Sequence, residues 1–303
     1  IMTNVAAMTA LKTLQQTNKA LETTQSRIST GYKVNDAADN AAYWSIATTM
    51  RSDNKALGTV QDALGLGSAK VDVAYTGMNA AIKVVDEIKT KLVAAREPGV
   101  DRSKVQEEIT QLQNQLVSIT TAAAFSGENW LSVDSGDAAY SATKSIVASF
   151  NRSSAGTVSV STVDIDISST ELFDAADQSG ILDTTFTTTG AGAATVSVSD
   201  LDITAAGIDN TDIDDMISNV DGALASMSTA AATLGAAKSR VSIQKDFVGE
   251  LMNAIDRGIS TLVDADMTAE STRLQALQTQ QQLGIQALSI ANSGAQSVLS
   301  LFR

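Results

Sequence analysis

The main pattern along the chain is a seven-residue repeat of apolar positions, which is typical of long helices that pack side by side. The repeat is strongest in two stretches, residues 57–95 and 220–262. In the first stretch it consists of Leu57, Leu64, Val71, Met78, Val85 and Leu92. In the second it consists of Val220, Met227, Leu234, Val241, Val248, Ile255 and Leu262. We predict a long helix in each stretch, and we expect both seams to pack mainly within the subunit.

A third helix is predicted directly after Pro98 and Gly99, which end the first of these helices. Its apolar face would be Val105, Ile109, Leu112, Leu116 and Ile119. Ser103 and Gln106 have the spacing of a capping box at its start. Because the connection is short, we expect the two helices to form an antiparallel hairpin.

Both ends of the chain also predict helices. From Val5 to Ile28 the repeat consists of Ala7, Leu14, Leu21 and Ile28, with Leu11, Asn18 and Gln25 at the companion positions. Residues 264–303 have a seam that runs from Leu274 to Phe302 and includes Leu283, Ile285 and Ile290. The two ends must meet, and we expect them to gain order mainly against other copies of the chain. The candidate self-assembly residues are Leu11, Leu14, Leu21, Ile28, Leu274, Leu277, Leu288, Leu299 and Phe302. Aspartate at position 288 or 299 should block assembly.

The middle of the chain, residues 126–211, has a different pattern. Ser, Thr, Gly, Ala and Asp dominate, and apolar residues alternate with polar ones at 158–167 and 196–203, which is typical of half-buried strands. The alternation slips by one residue at Ser161 and Thr162, where a bulge is expected. One helix is expected near residues 171–178. This segment has twelve acidic and two basic residues, so most of the net charge of −13 lies here.

These patterns together predict a mainly α fold, in which long antiparallel helices from both chain ends form a coiled-coil or bundle rod that carries a central β-rich insertion. The predicted divisions are two terminal helices at 1–38 and 264–303, rod helices at 39–125 and 212–263, and the acidic insertion at 126–211.

The composition excludes several classes of function. The chain has no Cys and no His, which removes disulfides, the usual zinc ligand sets and histidine-dependent nucleophilic catalysis. We therefore predict no catalytic, metal-binding or cofactor-binding residues. The negative charge argues against nucleic acid as a partner. No apolar run is long enough to cross a membrane, and the first residues, from Ile1 to Val5, do not predict a cleaved signal peptide.

The acidic residues in the middle segment and directly after it have two interpretations. Asp164 with Asp166, Asp200 with Asp202, and Asp212 with Asp214 and Asp215 have the alternate spacing of calcium ligands or of paired catalytic carboxylates. Carboxylates at every second position are also typical of the solvent-facing side of a half-buried strand, which is the interpretation we favour.

Three segments resemble the bacterial flagellins. The first is RISTGYKVNDAADNAAYWSIATTMRSDN, where Arg27, Gly31, Asp39 and Asn40 fit the family's N-terminal pattern. The second, FSGENWL, includes Phe125 and Gly127. The third contains Asp264, Asp266 and Glu270, followed by a Gln-rich helix, Asn292 and the ending VLSLFR. The three segments occur in the family's order and flank a variable middle, and the first is similar to alphaproteobacterial members.

This resemblance implies a structural subunit of the flagellar filament rather than an enzyme. The terminal helices would form an inner tube, the long helices a rod around it, and the insertion an outer, solvent-facing domain. The resemblance also implies that the chain assembles with itself or with sister flagellins. It further implies export through the type III apparatus with an export chaperone, contacts with cap and hook-junction proteins, and an extracellular location.

Residues 84–92, VVDEIKTKL, lack the arginines that an innate receptor reads in many flagellins, so recognition by that receptor is not expected. A hook–filament junction protein and a surface adhesin remain the alternative functions.

Overall fold

The computed structural model describes residues 4–300, and its side chains up to residue 294. Five α-helices contain most of these residues. They are α1 (Val5–Thr30), α2 (Ala37–Ala95), α3 (Arg102–Ala122), α4 (Asn210–Val263) and α5 (Met267–Ser300). The chain divides into a terminal unit, Ile1–Lys55 with Leu251–Arg303, and a central unit, Ala56–Glu250.

The heptad positions of α2 and α4 form the core of the central unit, as predicted. The side chains of Leu64, Val71 and Met78 on α2 are fully buried, and so are those of Val220 and Leu234 on α4. Beside this core, an ion pair joins α4 to α2, because Lys238 Nζ lies 2.7 Å from Asp72 Oδ1. The predicted mainly α fold is therefore confirmed.

Helix α3 begins differently from the prediction. The residue that caps it is Asp101, whose side chain accepts a hydrogen bond from the Ser103 backbone N–H at 3.1 Å. The predicted capping box is wrong because Gln106 is engaged elsewhere. Its side-chain amide donates to the Leu201 carbonyl at 2.9 Å and accepts from the Ile203 N–H at 2.9 Å.

Eight strands lie between α3 and α4. They are β1 (Ala124–Phe125), β2 (Glu128–Asn129), β3 (Ser132–Val133), β4 (Thr143–Arg152), β5 (Val158–Asp166), β6 (Phe173–Asp174), β7 (Phe186–Thr187) and β8 (Thr195–Val196). They pair as β1–β2, β4–β5 and β7–β8, all antiparallel, and β3–β6, which is parallel. The β4–β5 register shifts between Val147 and Ser149, opposite Thr162 and Ser161, so the expected bulge is confirmed.

Two details of the insertion differ from the prediction. The helix expected near residues 171–178 is wrong, because this segment contains β6 and turns. The N–H groups of Leu172 and Phe173 both donate to the Leu131 carbonyl. The expected strand over 196–203 ends after Val196 in a short 3₁₀ helix, Val198–Asp200. Around this 3₁₀ helix, the Gln106 side chain makes the hydrogen bonds to the backbone of Leu201 and Ile203 that a neighbouring strand would otherwise make.

None of the described helices combines the length and the apolar character that a membrane crossing needs.

Candidate assembly surface of the terminal unit

Helices α1 and α5 pair in antiparallel orientation, so the prediction that the two chain ends meet is confirmed. Polar contacts join them at three levels. Asn4 Nδ2 donates to the Ala291 carbonyl at 2.9 Å, and Gln281 Nε2 donates to Asn18 Oδ1 at 2.8 Å. At the other end of the pair, an ion pair joins Arg27 to Glu270. These contacts fix the register of one helix on the other.

The face of α1 that meets α5 differs from the predicted seam. Leu21 is buried, as expected, but the buried companion positions are Thr17 and Thr24 rather than Asn18 and Gln25. The Thr17 hydroxyl donates to the Thr13 carbonyl of its own helix at 3.0 Å. A threonine satisfied in this way can pack as a small, largely apolar side chain, which is why a search for large apolar residues missed it.

The predicted self-assembly residues fall into four groups. Leu21 and Leu277 are buried, and Leu14, Ile28, Leu274 and Leu288 are half-buried. Leu11 is exposed. The side chain of Leu299 and all of Phe302 lie outside the described residues. The buried and half-buried leucines of the terminal helices thus belong at least partly to the pairing of the chain's own ends.

Large apolar side chains remain uncovered on both helices. The exposed fraction is 67% for Val5, 55% for Met8 and 45% for Leu11 on α1. It is 58% for Leu283, 54% for Ile285 and 71% for Ile290 on α5. Uncovered apolar groups at this density mark an interaction surface rather than a solvated one.

The exposed residues lie on two sides of the α1–α5 pair. An α-helix turns about 100° per residue, and antiparallel helices place equivalent flanks on the same side. Leu11 and Ile285 consequently share one side, whereas Leu283 and Ile290 lie on the opposite side. Two separate apolar sides allow one pair to contact a different neighbour on each side, as open helical assembly requires.

A short backbone bridge holds the junction between the terminal helices and the longer ones. Gly31 is the C-cap of α1, with φ 76°, a left-handed conformation that glycine adopts without strain. Tyr32 pairs with Asp264 as an isolated antiparallel bridge. The Lys33 N–H donates to the Val263 carbonyl at 2.7 Å, and the Ala265 N–H donates to the Gly31 carbonyl at 2.8 Å. The break between α1 and α2 and the break between α4 and α5 therefore lie side by side.

Several residues of the flagellin-like segments begin helices at this junction. Asn40 Oδ1 accepts from the Tyr43 N–H at 3.1 Å, and Asn40 itself has extended backbone angles. The Asp39 carboxylate accepts from the Asn35 and Asp36 N–H groups, which lowers its pKa. Asp266 accepts from the Thr268 N–H at 2.9 Å at the start of α5. These side chains satisfy backbone donors that a helix leaves unpaired.

The Arg27–Glu270 ion pair links two segments that are far apart in sequence. Arg27 Nη1 lies 3.1 Å from Glu270 Oε1, and the side chains are 31% and 12% exposed, respectively. The second carboxylate oxygen, Oε2, is buried without a hydrogen-bond partner. Because the carboxylate is nearly buried, loss of Arg27 would leave an unpaired charge beside the helix interface.

The remaining residues of the flagellin-like segments have simpler positions. Phe125 pairs with Glu128 across the β1–β2 turn, and Gly127 in that turn has φ 82°. Asn292 is exposed on α5.

The acidic residues of the insertion and of the adjoining start of α4 mainly accept hydrogen bonds from nearby backbone N–H groups and hydroxyls. Asp212 is buried; its Oδ2 accepts from the Asp209 and Gly192 N–H groups, both at 3.0 Å, and the first of these bonds contributes most to lowering its pKa to about 2. Hydrogen bonds from Ser145 and Ser168 lower the pKa values of Asp164 and Asp166. Among the described residues, no group of three or more acidic side chains could hold a metal ion.

One buried carboxylate in the insertion has a raised pKa. Burial raises the pKa of Glu171, and its Oε1 accepts a 2.6 Å hydrogen bond from the Tyr140 hydroxyl. This bond raises the pKa of Tyr140 to about 12. The pair joins the loop before β4 to the loop before β6, which is a structural role.

The long helices pair at the chain ends and leave apolar side chains uncovered, and the acidic residues of the insertion bind nearby backbone and hydroxyl groups. These features define a class of protein, the self-assembling structural subunits. The comparisons with known proteins make this class specific. Residues 1–135 match the bacterial flagellin N-terminal helical region, and residues 217–302 match the bacterial flagellin C-terminal helical region. The chain belongs to the flagellin family, and it is a structural subunit of the bacterial flagellar filament rather than an enzyme.

Individual relatives resemble the chain over its whole length. Flagellin C of Rhizobium meliloti (strain 1021) is 53% identical, and the alignment covers 100% of this chain and 99% of that protein. Flagellin A of the same strain is 46% identical, with the same coverage. A flagellin of Brucella melitensis biotype 1 is also 46% identical, again with 100% and 99% coverage. The predicted resemblance to alphaproteobacterial flagellins is confirmed, and the two alternative functions are not favoured.

Proposed function

We propose that the filament grows by contacts between the α1–α5 pairs of neighbouring subunits. The observation that carries this proposal is the set of uncovered apolar side chains on both sides of the pair. Burying a large aliphatic side chain contributes about 1.5–3 kcal/mol, so six partly exposed side chains supply a substantial driving force. Because the two sides differ, each subunit contacts one neighbour through each side, and the chain of contacts does not close on itself.

The exposed side chains, rather than the buried ones, make these contacts. Leu21 and Leu277 hold α1 to α5 within a subunit, whereas Leu11, Ile285 and Ile290 are available to other copies. A second apolar group of the terminal unit extends this surface on α2: Tyr43, Trp44 and Ile46 are 44%, 38% and 49% exposed.

The proposed organisation of the filament follows the predicted divisions of the chain. Residues 1–38 and 264–303 form the inner tube, residues 39–125 and 212–263 the rod around it, and residues 126–211 the outer, solvent-facing domain. The acidic character of 126–211 supports this arrangement, because charged residues are well hydrated at an outer surface.

The other partners follow from membership of the family. The proposed route is export through the flagellar type III apparatus with a dedicated chaperone, followed by addition to an extracellular filament beneath a cap complex. The first subunits would contact hook-junction proteins. Rhizobium meliloti has flagellins named A, B, C and D, which supports the proposal that this chain copolymerises with sister flagellins.

Seeded polymerisation tests the proposal. Purified chain is mixed with filament fragments, and filament growth is measured by sedimentation and negative-stain microscopy. The test variants are Leu11→Asp and Ile290→Asp, which alter exposed positions and should leave the subunit folded. The matched control is Val158→Asp, because Val158 is 51% exposed but lies on β5 in the insertion.

We expect the control to polymerise and both test variants to stay soluble. Normal growth of either test variant would contradict the assignment of the α1–α5 flanks as the assembly surface.

A further inference from the structure

Lys144 occupies a position of β4 where the strand pattern favours an apolar side chain. Alternate residues of a strand face the same side, so Lys144 shares a side with Ile146, which is buried. Its cross-strand partner on β5 is Ile165, which is also buried. A lysine in such a row is informative, because charged side chains are rarely placed there.

The charge of Lys144 is also unusual for its surroundings. Lys144 and Arg152 are the two basic residues of segment 126–211, which contains twelve acidic ones. Lys144 is half-buried, yet it belongs to none of the ion pairs in the described part of the chain. Partial burial of a charge without a direct partner costs free energy. The ammonium group can therefore gain from an anion that comes from outside the chain.

Lys144 lines a pocket between α2 and the start of β4. The volume of the pocket is about 350 Å³, within the usual range of small-molecule sites. Leu66 and Lys70 line it from α2, and Lys144 and Val147 line it from β4. We call it the α2–β4 pocket.

The shape of the α2–β4 pocket is fixed by close packing of the strand on the helix. A Cβ at Gly67 would lie 2.4 Å from Ile146 Cγ2, so β4 approaches α2 as closely as it does only because residue 67 is glycine. Both residues line the pocket. A site that is already formed binds a ligand without the cost of ordering its own walls.

The charged residues of the lining are two lysines and one glutamate. Lys70 Nζ lies 3.0 Å from Glu128 Oε2. This hydrogen bond contributes most to lowering the pKa of Glu128, and the charge of Lys144 adds to the effect at longer range. The lining thus has one positive charge in excess, and Leu66, which is 49% exposed, adds an apolar wall beside it.

We propose that the α2–β4 pocket binds a small organic carboxylate with an apolar body. Lys144 donates a charge-assisted hydrogen bond to the carboxylate, and the apolar body lies against Leu66 and Val147. A monoanion matches the single excess charge, whereas a dianion such as phosphate would be repelled by the Glu128 carboxylate. The pocket belongs to the central unit and owes nothing to α1 and α5, so this binding goes beyond filament assembly.

Isothermal titration calorimetry of the full-length subunit tests the proposal. The probe is benzoate, and benzamide is the neutral ligand of the same shape. The test variant is Lys144→Gln. The matched control is Arg152→Gln, which removes the same charge eight residues further along the same strand, outside the lining of the pocket.

We expect the unsubstituted chain and Arg152→Gln to bind benzoate with a Kd of about 1 mM or below. Lys144→Gln should bind it at least about tenfold more weakly, because the charge-assisted hydrogen bond is lost. Benzamide should bind the unsubstituted chain more weakly by a similar factor. Absence of saturable benzoate binding, equal affinity of the two variants, or benzamide bound as tightly as benzoate would each overturn the proposal and leave filament assembly untouched.

A structural role of Lys144 makes a different prediction. Burial raises the pKa of Glu171, and the charge of Lys144 opposes that rise. If offsetting this buried carboxylate were the whole role of Lys144, Lys144→Gln would shift the urea unfolding midpoint but leave the affinity for benzoate unchanged. That result would refute the binding site.

A second variant keeps the test decisive if Lys144→Gln folds poorly. Leu66→Glu alters an exposed position at the edge of the pocket and retains Lys144. It should weaken benzoate binding at least about tenfold, because it replaces the apolar wall by a like charge. Val158→Glu, at a 51% exposed position on β5, should bind benzoate normally. Equal affinities of these two variants would also refute the site.

Discussion

Ile290 is the most exposed large apolar side chain among the described residues, at 71%. Full burial of an isoleucine contributes about 1.5–3 kcal/mol, so roughly 1–2 kcal/mol is still available to a neighbouring subunit at this position. Ile290→Ala should remove most of that contribution from each subunit added to the filament. Since about 1.4 kcal/mol corresponds to a factor of ten, a loss of about 1–2 kcal/mol should raise the critical concentration about five- to thirtyfold.

The assay is seeded polymerisation followed by sedimentation, with the critical concentration measured as soluble protein at the plateau. The unfolding curve of the isolated subunit should not change, because Ile290 is already in water before assembly. Val158→Ala, at a 51% exposed position of the insertion, should leave both quantities unchanged. A critical concentration for Ile290→Ala equal to that of the unsubstituted chain would refute the assignment of this side chain to an intersubunit contact.

Three further predictions concern the subunit itself. Asp101→Ala should lower the free energy of unfolding by about 1 kcal/mol through loss of the α3 cap, whereas Ser103→Ala should change it little; urea unfolding measures both. Gly31→Ala should cost about 1–2 kcal/mol in the same assay, because alanine is strained in the left-handed conformation. The pKa of Asp212 is lowered to about 2 from an ordinary value near 4. Asp212 therefore stabilises the fold fully above about pH 4, and this contribution disappears as the pH falls towards 2. Asp212→Asn should flatten the pH dependence of unfolding in that window.

The sequence predicted the core of the long helices well. Leu64, Val71 and Met78 are large, apolar and repeated every seven residues, and each is fully buried. A sustained seven-residue repeat places all of its apolar side chains on one face of a helix, and that face packs against a neighbouring helix.

The sequence predicted the pairing of the chain ends but not which face of α1 is used. Because Leu11 is large and apolar, the row that contains Leu11 was predicted to face α5. In the structure Thr17 and Thr24 occupy the interface, and Leu11 is exposed. Local pattern could not resolve this, because a threonine bonded to its own helix packs as well as a small apolar residue. The exposed position of Leu11 is what identifies it as available to another subunit.

The insertion was least predictable because distant residues determine its backbone. Gln106 on α3 bonds to Leu201 and Ile203, nearly a hundred residues away, and so replaces the strand partner that alternation implied. The predicted helix at 171–178 fails for the same reason, since its N–H groups reach Leu131. Contacts at this separation leave no signal in local periodicity.

The central claim is that the exposed flanks of α1 and α5 build the filament. Negative-stain microscopy of the purified chain seeded with filament fragments tests this claim most directly, with the Leu11→Asp and Val158→Asp variants alongside. We predict long tubular filaments from the unsubstituted chain and from Val158→Asp, and only short seeds from Leu11→Asp. Seeds that fail to elongate with the unsubstituted chain, or long filaments from Leu11→Asp, would contradict it.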